Sequence, residues 1–411
     1  WGLYYYELKD RTTSQKYVDK SLALDKYYHL ALALKTGIEL ESGTDGKTIL
    51  NQYFLDETGN IKPGFKEIHM SVIYRTIGRC YLKDDEFDKA IENFEKSLLI
   101  DQFDDSTLSL LGHAYMGKAI GINTLIIRFH KNLALDKKDL VRKAITYFIK
   151  ALEFAAQYKN IKYHIPTRAN LSTCYMLLAE YDKAYDITEI SSNSMYEYGD
   201  LLKSKAAAAY YKGFYKESAE LLSKVRNNTC LDITNRVLSL LHSNNETDAL
   251  EVIEDSLNNE SFNMEDLFLI RYLKFEILIS SKDQINAEKE LIILENSTLP
   301  EWQKEKACGD YYDLINEHNK ADLHYKKALK YPDIISPAKI FISDYYFRKK
   351  DYTTCFHICS PISSDEIKSG LELFKRLFQM TIISSFQISQ FIECRKYIDY
   401  GKQQGIKDSY L

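Results

Sequence analysis

The chain is short of the residues that break helices. Its 411 residues hold six Pro and sixteen Gly, where average usage of about 5% and 7% would put roughly twenty and thirty. An all-β fold needs turns at short intervals, so this scarcity excludes one and points to an array of helices. Long apolar runs are missing too. No window of about 18 uncharged apolar residues occurs, so there is no candidate membrane helix. Neither sign of charge dominates: the net charge is −5 and the pI about 6.1, a balance that disfavours a nucleic-acid partner. Disulfide spacing is absent as well. The seven Cys (80, 174, 230, 308, 355, 359 and 394) are odd in number and scattered, which reads as reduced thiols in the cytoplasm. The opening Trp1–Asp10 lacks the basic start and cleavage site of a signal peptide.

What the chain has in surplus is Tyr, 32 of them, and these fall into a pattern. In the stretch 71–100, Tyr74, Ile77, Gly78 and Tyr81 share one helical face. A polar turn (Lys83-Asp84-Asp85-Glu86) follows, then Ala90, Phe94 and Ser97 on a second helix. Gly78 and Ala90 are small where two helices must approach, and Tyr81 and Phe94 fill the groove between them. The small position is followed down the chain at Ala90, Ala144, Ala184, Ala219, Ala249, Ala287, Ala321, Cys355 and Cys394. The steps from 287 to 321 and from 321 to 355 are both 34 residues. Fuller matches are Gly309, Tyr312, Ala321, Tyr325 and Ala328; Leu171, Tyr175 and Ala184; and Ala207, Tyr210 and Ala219.

This pattern resembles the tetratricopeptide repeat, with its aromatic, Leu-Gly, Tyr, Ala, Phe and Ala at fixed offsets in about 34 residues. The resemblance covers residues 66 to 401. It implies an all-α, right-handed superhelical solenoid of helix-turn-helix repeats, with a partner bound on a concave face lined by the first helix of each pair. Residues 66–411 are expected to form the array, with an insertion at about 117–138. Residues 1–65 are expected to form N-terminal helices and a partial repeat, with a Gly-rich loop at 42–64 that holds Gly43, Gly46, Gly59 and Gly64 and resembles a short hairpin. Placing Tyr17 at the small position puts Trp1 inside the first helix of a repeat, as in a segment cut from a longer chain. Pro361 is read as the boundary before the last unit, 371–401.

No catalytic constellation emerges. Gly112-His113-Ala114-Tyr115-Met116-Gly117-Lys118-Ala119 has the phosphate-loop spacing, but on a helix and with Ala where Mg²⁺ needs Ser or Thr. Gly46-Lys47-Thr48 carries the other half of that motif without its first Gly. Cys355 and Cys359 stand one turn apart, half of a zinc set, and Cys355 already occupies the small core position. The dispersed His and the lack of G-x-S-x-G leave neither metal hydrolysis nor a covalent nucleophile. The chain therefore reads as non-enzymatic, without metal or cofactor.

The residues beside the packing positions of the first helices are the candidate partner-binding set. Arg75, Arg79, Lys83, His113, Asn170, Thr173, Lys205, Tyr211 and Lys212 make the first half basic and polar. Glu276, Asp310, Asp313 and Asp344, with Arg348, make the second half acidic. Such a face suits a protein or peptide segment of mixed charge. Arg75 and Arg79 fall on positions used in the family to clamp a terminal carboxylate, but Leu110 replaces the next Asn, so chaperone-tail binding is not expected. Two other readings stay open: a sensor module of a larger bacterial effector of the defence-NTPase kind, with its catalytic domain upstream, and a peptide-pheromone receptor. Richness in Ser, Asn, Lys, Ile and Tyr points to an AT-rich bacterial genome.

Overall fold

A computed structural model describes residues 1–120, 135–157, 164–189, 199–226, 228–259, 261–368 and 375–403. Among these are 22 α-helices and no named strand. From α5 (Met70–Lys83) and α6 (Phe87–Ile100) onward they run in pairs. The pairs are α7 (Asp105–Ile120) with α8 (Leu135–Gln157), α9 (Ile165–Leu177) with α10 (Tyr181–Asp186), α11 (Gly199–Tyr211) with α12 (Tyr215–Ser223), and α13 (Cys230–His242) with α14 (Glu246–Leu257). They continue as α15 (Met264–Ser280) with α16 (Gln284–Glu295), α17 (Glu301–Leu314) with α18 (His318–Ala328), α19 (Ser336–Arg348) with α20 (Tyr352–Lys368), and α21 (Lys375–Gln387) with α22 (Phe391–Gln403).

One device closes most of these pairs. The first helix ends in a left-handed residue whose successor donates its N–H to the carbonyl five residues back, a Schellman motif. Asp85, Ala179, Asn244, Lys282, Asn316, Lys350 and Ser389 hold φ between 59° and 64°. The following amides of Glu86, Glu180, Asn245, Asp283, Glu317, Asp351 and Gln390 bond the carbonyls of Tyr81, Tyr175, Leu240, Leu278, Tyr312, Tyr346 and Ser385 at 2.8–3.0 Å. The small residue then falls four positions after the donor, at Ala90, Ala184, Ala249, Ala287, Ala321, Cys355 and Cys394. Each of these is 0–6% exposed.

The same turn corrects the register in two places. Gly213 (φ 84°) is the left-handed residue between α11 and α12, and Phe214 N–H bonds the Ala209 carbonyl at 2.8 Å. The small position is therefore Ser218, fully buried with its Oγ 3.0 Å from Ser239 Oγ, and not Ala219. Tyr210 accordingly stands one residue off the position shared by Tyr81, Tyr175, Tyr312 and Tyr346. Near the start, α1 (Gly2–Glu7) meets α2 (Arg11–Leu24) through a turn at Lys9 (φ 61°). There the small residue is Ser14, which donates to the Gly2 carbonyl at 2.8 Å; Tyr17 instead stacks on Tyr5 at 5.6 Å.

The Gly-rich segment is only partly a loop. It follows α3 (His29–Glu41). Within it Gly46–Ile49 forms α4 and Leu50–Phe54 a π-helical turn, and Ile49, Leu50 and Phe54 sink into a core with Leu32, Ile73, Ile77 and Cys80. A single antiparallel bridge, Leu55 to Ile61, closes a short tip. Pro361 does not end a helix either: α20 runs through it to Lys368.

The described residues divide into two compact units, one formed by residues up to 120 with those from 136 to 208, the other by residues 209 onward. The 65/66 boundary lies inside the first unit. Of the insertion expected at 117–138, residues 117–120 continue α7 and 135–138 begin α8; the rest lies outside the described residues. No helix among the described residues is long and apolar enough to cross a membrane.

Candidate functional site

In the second unit the first helices line a groove of about 610 Å³, within the ~300–1,000 Å³ of ligand-sized clefts. α13 contributes Leu238 and Leu241; α15 contributes Leu273, Glu276, Ile277 and Ile279; α17 contributes Lys306 and Asp310; α19 contributes Phe341, Asp344 and Arg348. Glu246, the first residue of α14, and Tyr325 of α18 also line it. The placement follows from helical spacing. Lys306 and Asp310, and Asp344 and Arg348, are four residues apart, so each pair shares a helix face.

Lys306 is the centre of this groove. Its residue is 5% exposed, yet its Nζ lies 2.6 Å from Asp310 Oδ2 and 3.7 Å from Glu276 Oε1. Burial alone would pull the ammonium down; Asp310, Tyr272 and Glu276 outweigh it and hold its pKa above the usual lysine value. The Phe341 ring, half exposed, stands 5.5 Å from the same nitrogen. Asp310 also accepts from the Tyr325 hydroxyl at 2.7 Å, and burial followed by the Asp310 charge pushes that phenol well up.

Arg348 bridges the other two carboxylates, at 3.2 Å to Asp313 and 3.2 Å to Asp344. Burial opposes its charge, and the two carboxylates more than restore it. Arg376 of α21 closes the chain of charges by donating to Asp344 from Nε at 2.8 Å. The structure thus gathers Glu276, Asp310 and Asp344 in one groove and ties Asp313 to it through Arg348. The expected acidic face is an alternating network, with carboxylates still in excess.

The basic set of the first unit is more dispersed. Arg75 pairs with Asp104, which precedes α7 and also accepts from Thr107 Oγ1. This arginine tethers two repeats. Arg79 faces α3 near Gly37, and Lys83 is exposed at the end of α5. Asn170 and Thr173 are half-buried on α9, as is His113 on α7, where burial lowers the imidazole pKa. Lys205 is mostly covered, its Nζ 4.9 Å from the Tyr185 ring and 3.9 Å from Glu189. Tyr211 ends α11 and Lys212 follows it, both in the second unit, with Lys212 Nζ 5.3 Å from the Phe214 ring.

The motifs weighed for other chemistry are absorbed by the fold. The amides of Gly46 and Lys47 both donate to the Asp84 carboxylate at 2.7 Å, so a carboxylate of the chain itself occupies the place a phosphate would need. Lys118 pairs with Asp88 on the face of α7. Cys355 and Cys359 are fully buried, and no cluster of three or more His, Cys, Asp or Glu suited to a metal is present among the described residues.

Lys306, Glu246 and Phe341 line the groove, and Arg376 joins its charge network, without having been marked as candidates by the sequence. A signal was available for two of them. Lys306 lies one turn before Asp310, and Phe341 three residues before Asp344, on faces already marked by the carboxylates.

The described residues form an array of helix pairs whose small buried residues recur at a spacing that resembles the tetratricopeptide repeat. No protein-family model and no curated protein matches it. Among solved structures it is similar to a human IFIT1 dimer with PPP-AAAA, at 14% identity and TM-score 0.46, covering 98% of this chain and 89% of that one. It is similar to yeast Tom70 at 14% identity and TM-score 0.45, covering 98% and 90%. A tetratricopeptide repeat protein from Parabacteroides merdae matches at 12% identity and TM-score 0.40, covering 69% and 98%.

Proposed function

We propose that the chain is a non-enzymatic scaffold that binds a polypeptide segment in the groove lined by α13, α15, α17 and α19. The observation that carries this reading is the groove itself. An apolar floor of Leu238, Leu273 and Ile277 lies beside a few converging charged groups and an exposed aromatic rim, Phe341. Such a lining holds side chains by burial and orients them by charge. Four lining carboxylates against two cations favour a peptide over nucleic acid, whose phosphates they repel. The scattered unpaired thiols fit a cytoplasmic setting. Arg79 and Lys83 of the first unit offer a second, basic contact for acidic groups.

The test is a fluorescein-labelled peptide library titrated with the full chain. Phe341→Ala and Leu241→Ala should each weaken the selected peptides by about tenfold, a typical loss for a contributing interface side chain. Unchanged affinities in both variants would remove the groove as the site.

A further inference from the structure

We infer that the segment this groove takes is basic, a lysine or arginine set between aliphatic residues. The inference rests on the peptide-binding reading above and names the chemistry of its partner. Both lining cations are already engaged by the protein. Lys306 is held by Asp310 and Glu276, and Arg348 by Asp313 and Asp344. An incoming carboxylate would find no cation to pair with and would meet Glu246 and Glu276 instead. Adding the two network members outside the lining, Asp313 and Arg376, leaves five carboxylates against three cations.

Glu246 is where that surplus reaches solvent. It is exposed at the groove edge and makes no ion pair among the described residues. Leu241 and Ile279 line the same groove. A lysine or arginine stem suits this arrangement, because its methylenes lie on apolar surface while its head stays with the carboxylate. Phe341 adds a half-exposed ring against which a guanidinium or ammonium gains a further attraction. Leu238, Leu273 and Ile277 then receive the neighbouring aliphatic side chains.

Three fluorescein-labelled hexapeptides test this, with leucine alternating with lysine, with glutamine or with glutamate. Fluorescence anisotropy with the full chain should rank lysine first, about tenfold over glutamine, and the preference should shrink as salt is raised. Glu246→Lys should cost the lysine peptide about tenfold more than it costs the glutamine peptide, with Glu246→Gln between. Circular dichroism melts establish that both variants are folded. If the glutamine or glutamate peptide binds as tightly as lysine, and Phe341→Ala still weakens it, the groove reading stands and the basic preference is overturned. If Phe341→Ala leaves the lysine peptide unchanged, or no peptide binds, both fall.

Discussion

Gly309 of α17 and Tyr325 of α18 stand so close that a methyl group on Gly309 would lie 2.6 Å from the Tyr325 ring. Tyr345 packs against the same ring, with centroids 4.7 Å apart, and limits the room for it to shift. Gly78 with Phe94 and Gly112 with Phe148 repeat this contact in the first unit. Gly309→Ala should therefore lower stability by about 1–3 kcal/mol, the cost of overpacking, against a helix-propensity gain of about 1 kcal/mol. Gly37→Ala, whose methyl would meet nothing nearer than 3.4 Å, should keep that gain. Urea unfolding of the two variants checks the contrast.

The left-handed turn residues make a prediction of opposite sign. Ala179 and Lys282 hold φ of 59° and 62°, where an L side chain costs about 1–2 kcal/mol and glycine costs little. Ala179→Gly and Lys282→Gly should raise the unfolding free energy by about 0.5–1 kcal/mol after glycine's extra chain entropy. A fall in stability at both sites would mean that these turns relax out of the left-handed conformation.

Lys306 separates charge from packing. Lys306→Ala should cost about 3–5 kcal/mol, the usual loss when one partner of a buried pair is removed. Lys306→Met keeps the stem but still strands Asp310 and Glu276, so it should be nearly as harmful. Chemical denaturation of both variants decides the matter. A methionine variant as stable as the parent would show the side chain to matter for its bulk alone.

Alkaline pH reads out the buried thiols. Burial pushes Cys80 up to about 12; burial, with the Glu295 carboxylate, does the same for Cys308. An unfolded thiol ionises near 8.5. The folded pKa is the higher one, so this contribution is complete below about pH 8.5 and is lost as pH rises toward 12. The melting temperature should fall from pH 8 to 11, and less steeply in a Cys80→Ala, Cys308→Ala double variant. Equal slopes would contradict the assignment.

Asp84 latches the segment that carries Gly46. Its carboxylate takes both the Gly46 and Lys47 amides, charge-assisted bonds worth about 1.5–3 kcal/mol each. Asp84→Ala should speed hydrogen exchange at those two amides far more than across α17 and α18. ATP with Mg²⁺ should leave the melting temperature of the parent unchanged.

The array was legible because its small residues are spaced by helix geometry, and Ala90, Ala287, Ala321 and Cys355 are all fully buried where the spacing put them. The reading slipped where the local pattern is degenerate. Ser218 and Ala219 are adjacent and both small, and only the Gly213 turn decides between them. Glycine usually marks a loop, and the sequence pattern around Gly46 points to one. Here its missing side chain serves a close approach: a Cβ would lie 2.1 Å from the Cys80 carbonyl oxygen. In the groove the carboxylates were legible from the helix faces. The buried Lys306 was less so: Asp310 lies one turn away on the same helix, but Glu276 comes from α15, which the sequence does not pair with α17, and lysine is seldom fully buried unless paired.

The tip of residues 56–60 invites a use of its own. On one side Leu50 and Phe54 are anchored in the core, and on the other Lys62 donates to the Asn51 and Gln52 carbonyls. Residues 57–60 between them are exposed, organised only by bonds to Asp56 and to one another. An epitope or fluorophore spliced in at Thr58 would ride on a braced stalk with its graft ends held close together. That is the setting in which insertions are best tolerated, and the location lies in the unit that does not contain the groove.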